Sequence, residues 1–204
     1  MNLVPNLLPK GALLIRRWSG HPLSMMQELD GSFDATMMIG YHARARSGAS
    51  PLEHTFTGRV NAILVNGRPT SEFTFGAYAA AYHGVPVALI SGDEGICAEA
   101  SELCPGILTV PVKRGAGAPT ISIHPAEACE RIRQAAQEGL KRGFRQRTAS
   151  LPDRFEIEIV FRRHPDAYAA SFYPGASLAD PATVRFETDD YFEALRAAAF
   201  LLRG

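Results

Sequence analysis

Cysteine is scarce in this 204-residue chain, long apolar runs are missing, and neither sign of charge prevails. Cys97, Cys104 and Cys129 are odd in number and form no C-x-x-C pair, so neither a disulfide framework nor a thiolate zinc site organises the fold. A reducing, cytoplasmic setting is the simplest one for them. No apolar stretch approaches the roughly 20 residues that span a bilayer. Pro5, Pro9 and Gly11 interrupt the start where a signal peptide needs an unbroken apolar core, so no membrane partner and no export are expected. Lys plus Arg and Asp plus Glu both number 21, giving a formal charge of zero and no global field toward nucleic acid. The one basic stretch, Lys141–Arg154, holds a single aromatic, Phe144, too few for stacking on bases.

Common catalytic motifs are missing as well. There is no G-x-S-x-G serine elbow, no H-E-x-x-H and no phosphate loop. Gly115-Ala116-Gly117-Ala118-Pro119 lacks the third glycine of a dinucleotide fingerprint and puts proline where its helix should begin.

What is present describes a folded α/β protein: 46% hydrophobic and 21% charged residues, in a length that suits one large domain or two lobes. Ala12–Ile15 reads as a short strand and Ser24–Leu29 as one or two helical turns with Ser24 as cap. The apolar run Ala35–Tyr41 reads as a buried strand that puts His42 at its carboxyl edge. Phe56–Val65 reads as a strand followed by the hairpin dipeptide Asn66-Gly67, then a helix from Ser71 to Tyr82 with Glu72 in its first turn. Val85–Ile90, the helix Glu94–Leu103, the strand Ile107–Val112 and a long helix opened by Pro125 and closed by Gly143 follow. A polar linker over residues 141–153 separates an expected lobe of residues 1–145 from a smaller α/β lobe of residues 146–204. In the latter, Phe155–Phe161 alternates apolar and polar, Val184–Glu187 is a short strand, and Thr188 caps a last helix that buries Phe192, Leu195, Ala199 and Leu202. The expected class is α/β: a mixed sheet with helices on both faces plus the smaller lobe.

Ligands of α/β proteins gather where loops leave the strand ends. His42 and Glu72 sit at such places, and imidazole with carboxylate suits zinc. The same pair also reads as a hydrogen-bonded histidine and a helix-start charge. Arg44, Arg46 and His54 share the loop after His42, which would otherwise be a solvated surface loop. His21, His83, His124 and His164 read as structural or exposed.

The succession Gly40-Tyr41-His42-Ala43-Arg44-Ala45, His54, Asn66-Gly67-Arg68-Pro69, Glu72, Gly76-Ala77-Tyr78, Val85-Pro86-Val87 and Ser91-Gly92-Asp93 resembles the zinc-dependent D-aminopeptidases associated with bacterial dipeptide transport. That resemblance runs collinearly over the chain. It implies a two-zinc hydrolase that removes a D-amino acid from the amino end of short peptides and assembles into homo-oligomeric rings. It implies His42 and Glu72 as ligands of one zinc and His54 as the catalytic histidine. The family's Asp-x-Glu-Gly and Asn-Asp-x-His ligand segments have no counterpart here, so the chain reads as starting after them. Weak metal binding, impaired activity and either low stability or tight self-association are the expectations that follow. The alternative is a non-catalytic ring-forming or peptide-binding module descended from such an enzyme.

Overall fold

The computed structural model describes residues 3–141 and 148–203. The expected helix end at Gly143, Phe144, and the lobe boundary at 145/146 lie outside the described residues. The α/β class holds, built on two sheets. The first has the order β1-β4-β5-β6, from β1 (Thr36–Tyr41), β4 (Val87–Asp93), β5 (Leu108–Gly115) and β6 (Thr120–Ser122). Its β1–β4 and β4–β5 pairs are parallel and β6 runs antiparallel. The second is wholly antiparallel, with the order β3-β2-β7-β9-β8 from β2 (Val60–Val65), β3 (Arg68–Pro69), β7 (Phe155–Phe161), β8 (Ala176–Asp180) and β9 (Thr183–Thr188). It therefore joins the 60–69 hairpin to the last quarter of the chain and is the larger of the two sheets.

The remaining elements are α1 (Glu72–Tyr82), α2 (Glu94–Leu103), α3 (Pro125–Lys141), α4 (His164–Ala170) and α5 (Tyr191–Leu201). Helix α1 explains how the two sheets form one body. Its sequence, EFTFGAYAAAY, is apolar nearly all round, the mark of a helix buried on more than one side. Phe73, Ala77 and Ala80 pack with Met38, Val87 and Ile90 of the first sheet and with α2. Phe75 and Ala79 pack with Ile63, Ile157, Ile159 and α5 of the second. The Tyr191 hydroxyl of α5 donates to the Phe75 carbonyl (2.7 Å), and burial pushes that phenol's pKa well up.

Most expected elements form close to their expected limits, and the departures have physical reasons. Ala12–Ile15 is not a strand, because no neighbour pairs with it; Leu13 is 97% exposed. Ser24–Met26 is a single 3-10 turn in which Ser24 opens the helix rather than capping it. The strand expected from Phe56 starts only at Val60, since Phe56 has a positive φ of 59° that no strand accommodates. At the last helix the cap is Asp190, whose Oδ1 accepts the Phe192 N–H (2.7 Å); Thr188 instead accepts the Asp190 N–H (3.1 Å). The buried stripe of α5 is accordingly Tyr191, Ala194, Leu195, Ala197, Ala198 and Leu201. At the hairpin, Asn66 (φ 52°) and Gly67 (φ 74°) supply the two left-handed residues of a tight turn, as their identities require. No helix among the described residues is long and apolar enough to cross a membrane.

Candidate metal centre

Three chain segments meet at the carboxyl edge of β1 and the amino end of α1. His42 follows β1 directly. Glu72 is the first residue of α1, whose cap is Ser71; the Ser71 side chain accepts the Thr74 N–H (3.3 Å) while Thr74 Oγ1 accepts the Ser71 N–H (3.3 Å). Glu99 of α2 also takes hydrogen bonds from the Ser71 N–H (3.3 Å), the Ser71 hydroxyl and the Thr74 hydroxyl (2.8 Å), so the amino end of α1 is fixed from two directions. His54 comes from the loop between β1 and β2.

His42, His54 and Glu72 each offer one ligand atom within 4.8 Å of the other two, the one such His/Cys/Asp/Glu group among the described residues. The rings of His42 and His54 lie 4.3 Å apart at 31°, and His54 Nε2 is 3.5 Å from Glu72 Oε1. Each histidine directs Nδ1 to a backbone carbonyl, His42 to Ala43 O (3.0 Å) and His54 to Leu52 O (2.8 Å). With Nδ1–H donating to those carbonyls, each Nε2 keeps its lone pair for an ion or a proton. Glu72 has a 15% exposed side chain and His54 a 42% exposed one, and Glu72 Oε1 also accepts the Phe56 N–H (2.8 Å).

The backbone around the group is held in uncommon conformations. Phe56 has a φ of 59° while the Thr57 N–H donates to Thr55 O (2.7 Å), closing a three-residue turn of the rare left-handed kind. That turn aims the Phe56 N–H at Glu72 and sets the Phe56 ring edge-on to Phe75, 5.1 Å away. On the other side, Gly92 passes so close to β1 that an added Cβ would lie 2.2 Å from the Tyr41 carbonyl oxygen. This approach lets the buried Asp93 carboxylate accept both the Ala43 N–H (2.9 Å) and the Ile96 N–H (2.9 Å), capping α2 and holding the residue after His42. Burial, with the Glu72 carboxylate adding to it, pushes the Tyr41 phenol up to about 12, so this neighbour stays neutral.

A cleft of about 520 Å³ opens onto His54 and Glu72. Its walls include Trp18, Met25, Phe56, Phe75 and Leu195, with His21 and Arg203 among its polar groups. Arg203 donates to the Gly20 carbonyl (2.5 Å) and lies 4.7 Å over the Phe200 ring. The structure thus brings together the three residues singled out from sequence. It also adds three to which sequence reading assigned no role at the site: Asp93, Thr55 and the turn residue Phe56. Only Asp93 carried a signal, as an acid immediately before a helix; a threonine in a polar loop carries none. His21, read as structural or exposed, is exposed but lines the cleft, while its Nδ1 accepts the Leu23 N–H (3.2 Å).

Comparison with known proteins gives the same direction. Residues 1–200 match the model of the D-aminopeptidase family, Peptidase M55. A curated D-aminopeptidase of Bacillus subtilis (strain 168) is 32% identical over 178 residues, which is 86% of this chain and 65% of the relative. The chain therefore spans just under two thirds of that protein's length. A solved structure, the Zn-dependent D-aminopeptidase DppA from Bacillus subtilis, a self-compartmentalizing protease, superposes with a TM-score of 0.89 at 29% identity. The match covers 98% of this chain and 73% of the solved one.

Proposed function

We propose, for a chain that belongs to the D-aminopeptidase family, that the His42–His54–Glu72 group is a zinc-dependent peptidase centre acting on short peptides with an amino-terminal D-residue. The observation that carries the reading is the convergence itself. Two imidazoles with their Nδ1 positions already engaged, plus one carboxylate, present their ligand atoms within 4.8 Å beside an open cleft. This nitrogen–oxygen donor set fits zinc, and the related solved protein is Zn-dependent.

His42 and Glu72 would hold the ion, which when bound supplies Lewis acidity toward a peptide carbonyl. The Ala43 carbonyl fixes the direction of His42, and the Phe56 N–H fixes that of Glu72. His54 has a 42% exposed side chain and lines the cleft, so it is placed to carry a proton between the reacting peptide and solvent. A second reading has one specific support: donors of one tetrahedral ion lie about 3.4 Å apart, close to the 3.5 Å between His54 Nε2 and Glu72 Oε1. In that case His54 is a third ligand. The cleft's apolar walls exclude water from a bound peptide, and Arg203 offers a cation to its carboxylate.

Self-association is part of the proposal. The solved relative is self-compartmentalizing, and this chain exposes Met37 (36%) and Ile39 (51%) on the edge strand β1 and Leu140 (54%) on α3.

The test is hydrolysis of a D-Ala dipeptide against its L-Ala counterpart, with and without chelator. The account predicts release of D-alanine that the chelator abolishes and zinc restores. Equal rates on both isomers would refute the substrate class, and no hydrolysis by zinc-loaded protein would leave the non-catalytic descendant as the better description.

A further inference from the structure

We propose that Thr55 is a positioning residue for this group: its buried hydroxyl ties together the three chain segments that carry His42, His54 and Glu72. Thr55 is fully buried, although it lies in a polar loop next to the exposed His54. Its Oγ1 accepts the Ala45 N–H (3.2 Å) and donates to the Thr70 carbonyl (3.1 Å). Ala45 is three residues after His42, Thr70 is two residues before Glu72, and Thr55 is bonded to His54. One hydroxyl thus touches all three segments, while the Thr55 carbonyl closes the turn that aims the Phe56 N–H at Glu72.

The third segment is in turn anchored to the second sheet. The Thr70 N–H and hydroxyl both donate to the Ile63 carbonyl of β2 (2.8 Å each). The tie therefore runs from the loop after β1, through Thr55, to β2, and spans the seam between the two sheets at the point where the candidate ligands meet.

The residue type fits the task. A hydroxyl can accept one hydrogen bond and donate another at the same time, which is what Oγ1 does here and what a serine at this position could also do. Loss of the hydroxyl would leave the Ala45 N–H and the Thr70 carbonyl buried without this partner, and the loops would separate to reach water. Groups that orient ligands from behind change metal affinity by about 10- to 100-fold when removed.

The inference rests on the metal-centre reading, and the experiment separates the two. Thr55→Val keeps the shape and removes the hydroxyl; Thr55→Ser keeps the hydroxyl. Two quantities are measured on folded protein: cobalt(II) affinity with its visible spectrum, and the nuclear Overhauser contact between the His42 and His54 rings in metal-free protein. The expected result is a loss of the ring contact and at least a tenfold weaker cobalt affinity in Thr55→Val, with both retained in Thr55→Ser. Should Thr55→Val not fold, Thr55→Ala, which removes the same hydroxyl with a smaller side chain, replaces it under the same reading. A folded Thr55→Val that keeps both the ring contact and the affinity overturns the proposal, as does a Thr55→Ser that loses them, since packing rather than the hydroxyl would then be responsible. Failure of the unaltered chain to bind cobalt would count against the metal reading alone, and the ring contact would still decide the role of Thr55.

Discussion

His54 separates the two versions of the centre most cleanly. It contacts Glu72 at 3.5 Å, lies tilted beside the His42 ring and faces the cleft. As a proton carrier it can be lost without loss of metal. His54→Gln, which keeps a polar side chain of similar reach, is therefore predicted to lower kcat by about 10²–10⁴-fold while zinc content stays near that of the unaltered chain. A parallel fall in zinc content, measured by atomic absorption after dialysis, would make His54 a ligand instead. The two buried cysteines have no part in this chemistry. Burial raises the thiols of Cys97 and Cys104 to about 11, which leaves both neutral and poorly nucleophilic at neutral pH.

Among the elements, β4 and α1 decide where the candidate ligands sit. The apolar part of that strand, Val87–Ile90, and the nearly all-apolar helix were legible in the sequence because burial on several sides favours unbroken hydrophobicity, and Val87–Asp93 and Glu72–Tyr82 differ from their expected limits by only a few residues. The alternation of Phe155–Phe161 was legible for the complementary reason, since one face of that strand is buried and the other is not. What could not be read was the partnership of β2 with β7, which joins residues about 95 positions apart. The left-handed turn at Phe56 was also hidden, because nothing in a phenylalanine announces positive φ. Their places at element ends brought His42 and Glu72 forward with ordinary alternatives beside them; resemblance to a known family strengthened that pair and brought His54 forward. The approach of β4 to β1 gives a prediction at this scale. Gly92→Ala places a Cβ 2.2 Å from the Tyr41 carbonyl oxygen and 2.7 Å from Ile96 Cγ2, and the nearer atom is backbone that cannot swing aside. A destabilisation of about 1–3 kcal/mol or more is expected in urea unfolding, with weakened metal uptake because Asp93 and Ala43 move together. An unchanged unfolding midpoint would show that the two strands separate more easily than their contact suggests.

Taken whole, the molecule is two sheets joined through α1, and the candidate centre lies where the loops of the first sheet meet that helix's amino end. The candidate group gathers side chains from the loop after β1 of the first sheet and from the helix that joins the two sheets, so their spacing is a property of the entire fold, and metal binding and folding should be coupled. The measurement that tests this most directly is zinc affinity by competition with a chromophoric chelator, on the unaltered chain and on His42→Ala and Glu72→Ala, each first shown to be folded. The account predicts that either substitution weakens zinc binding at least tenfold. Equal affinity in all three proteins would mean that the ion, if held at all, is held elsewhere.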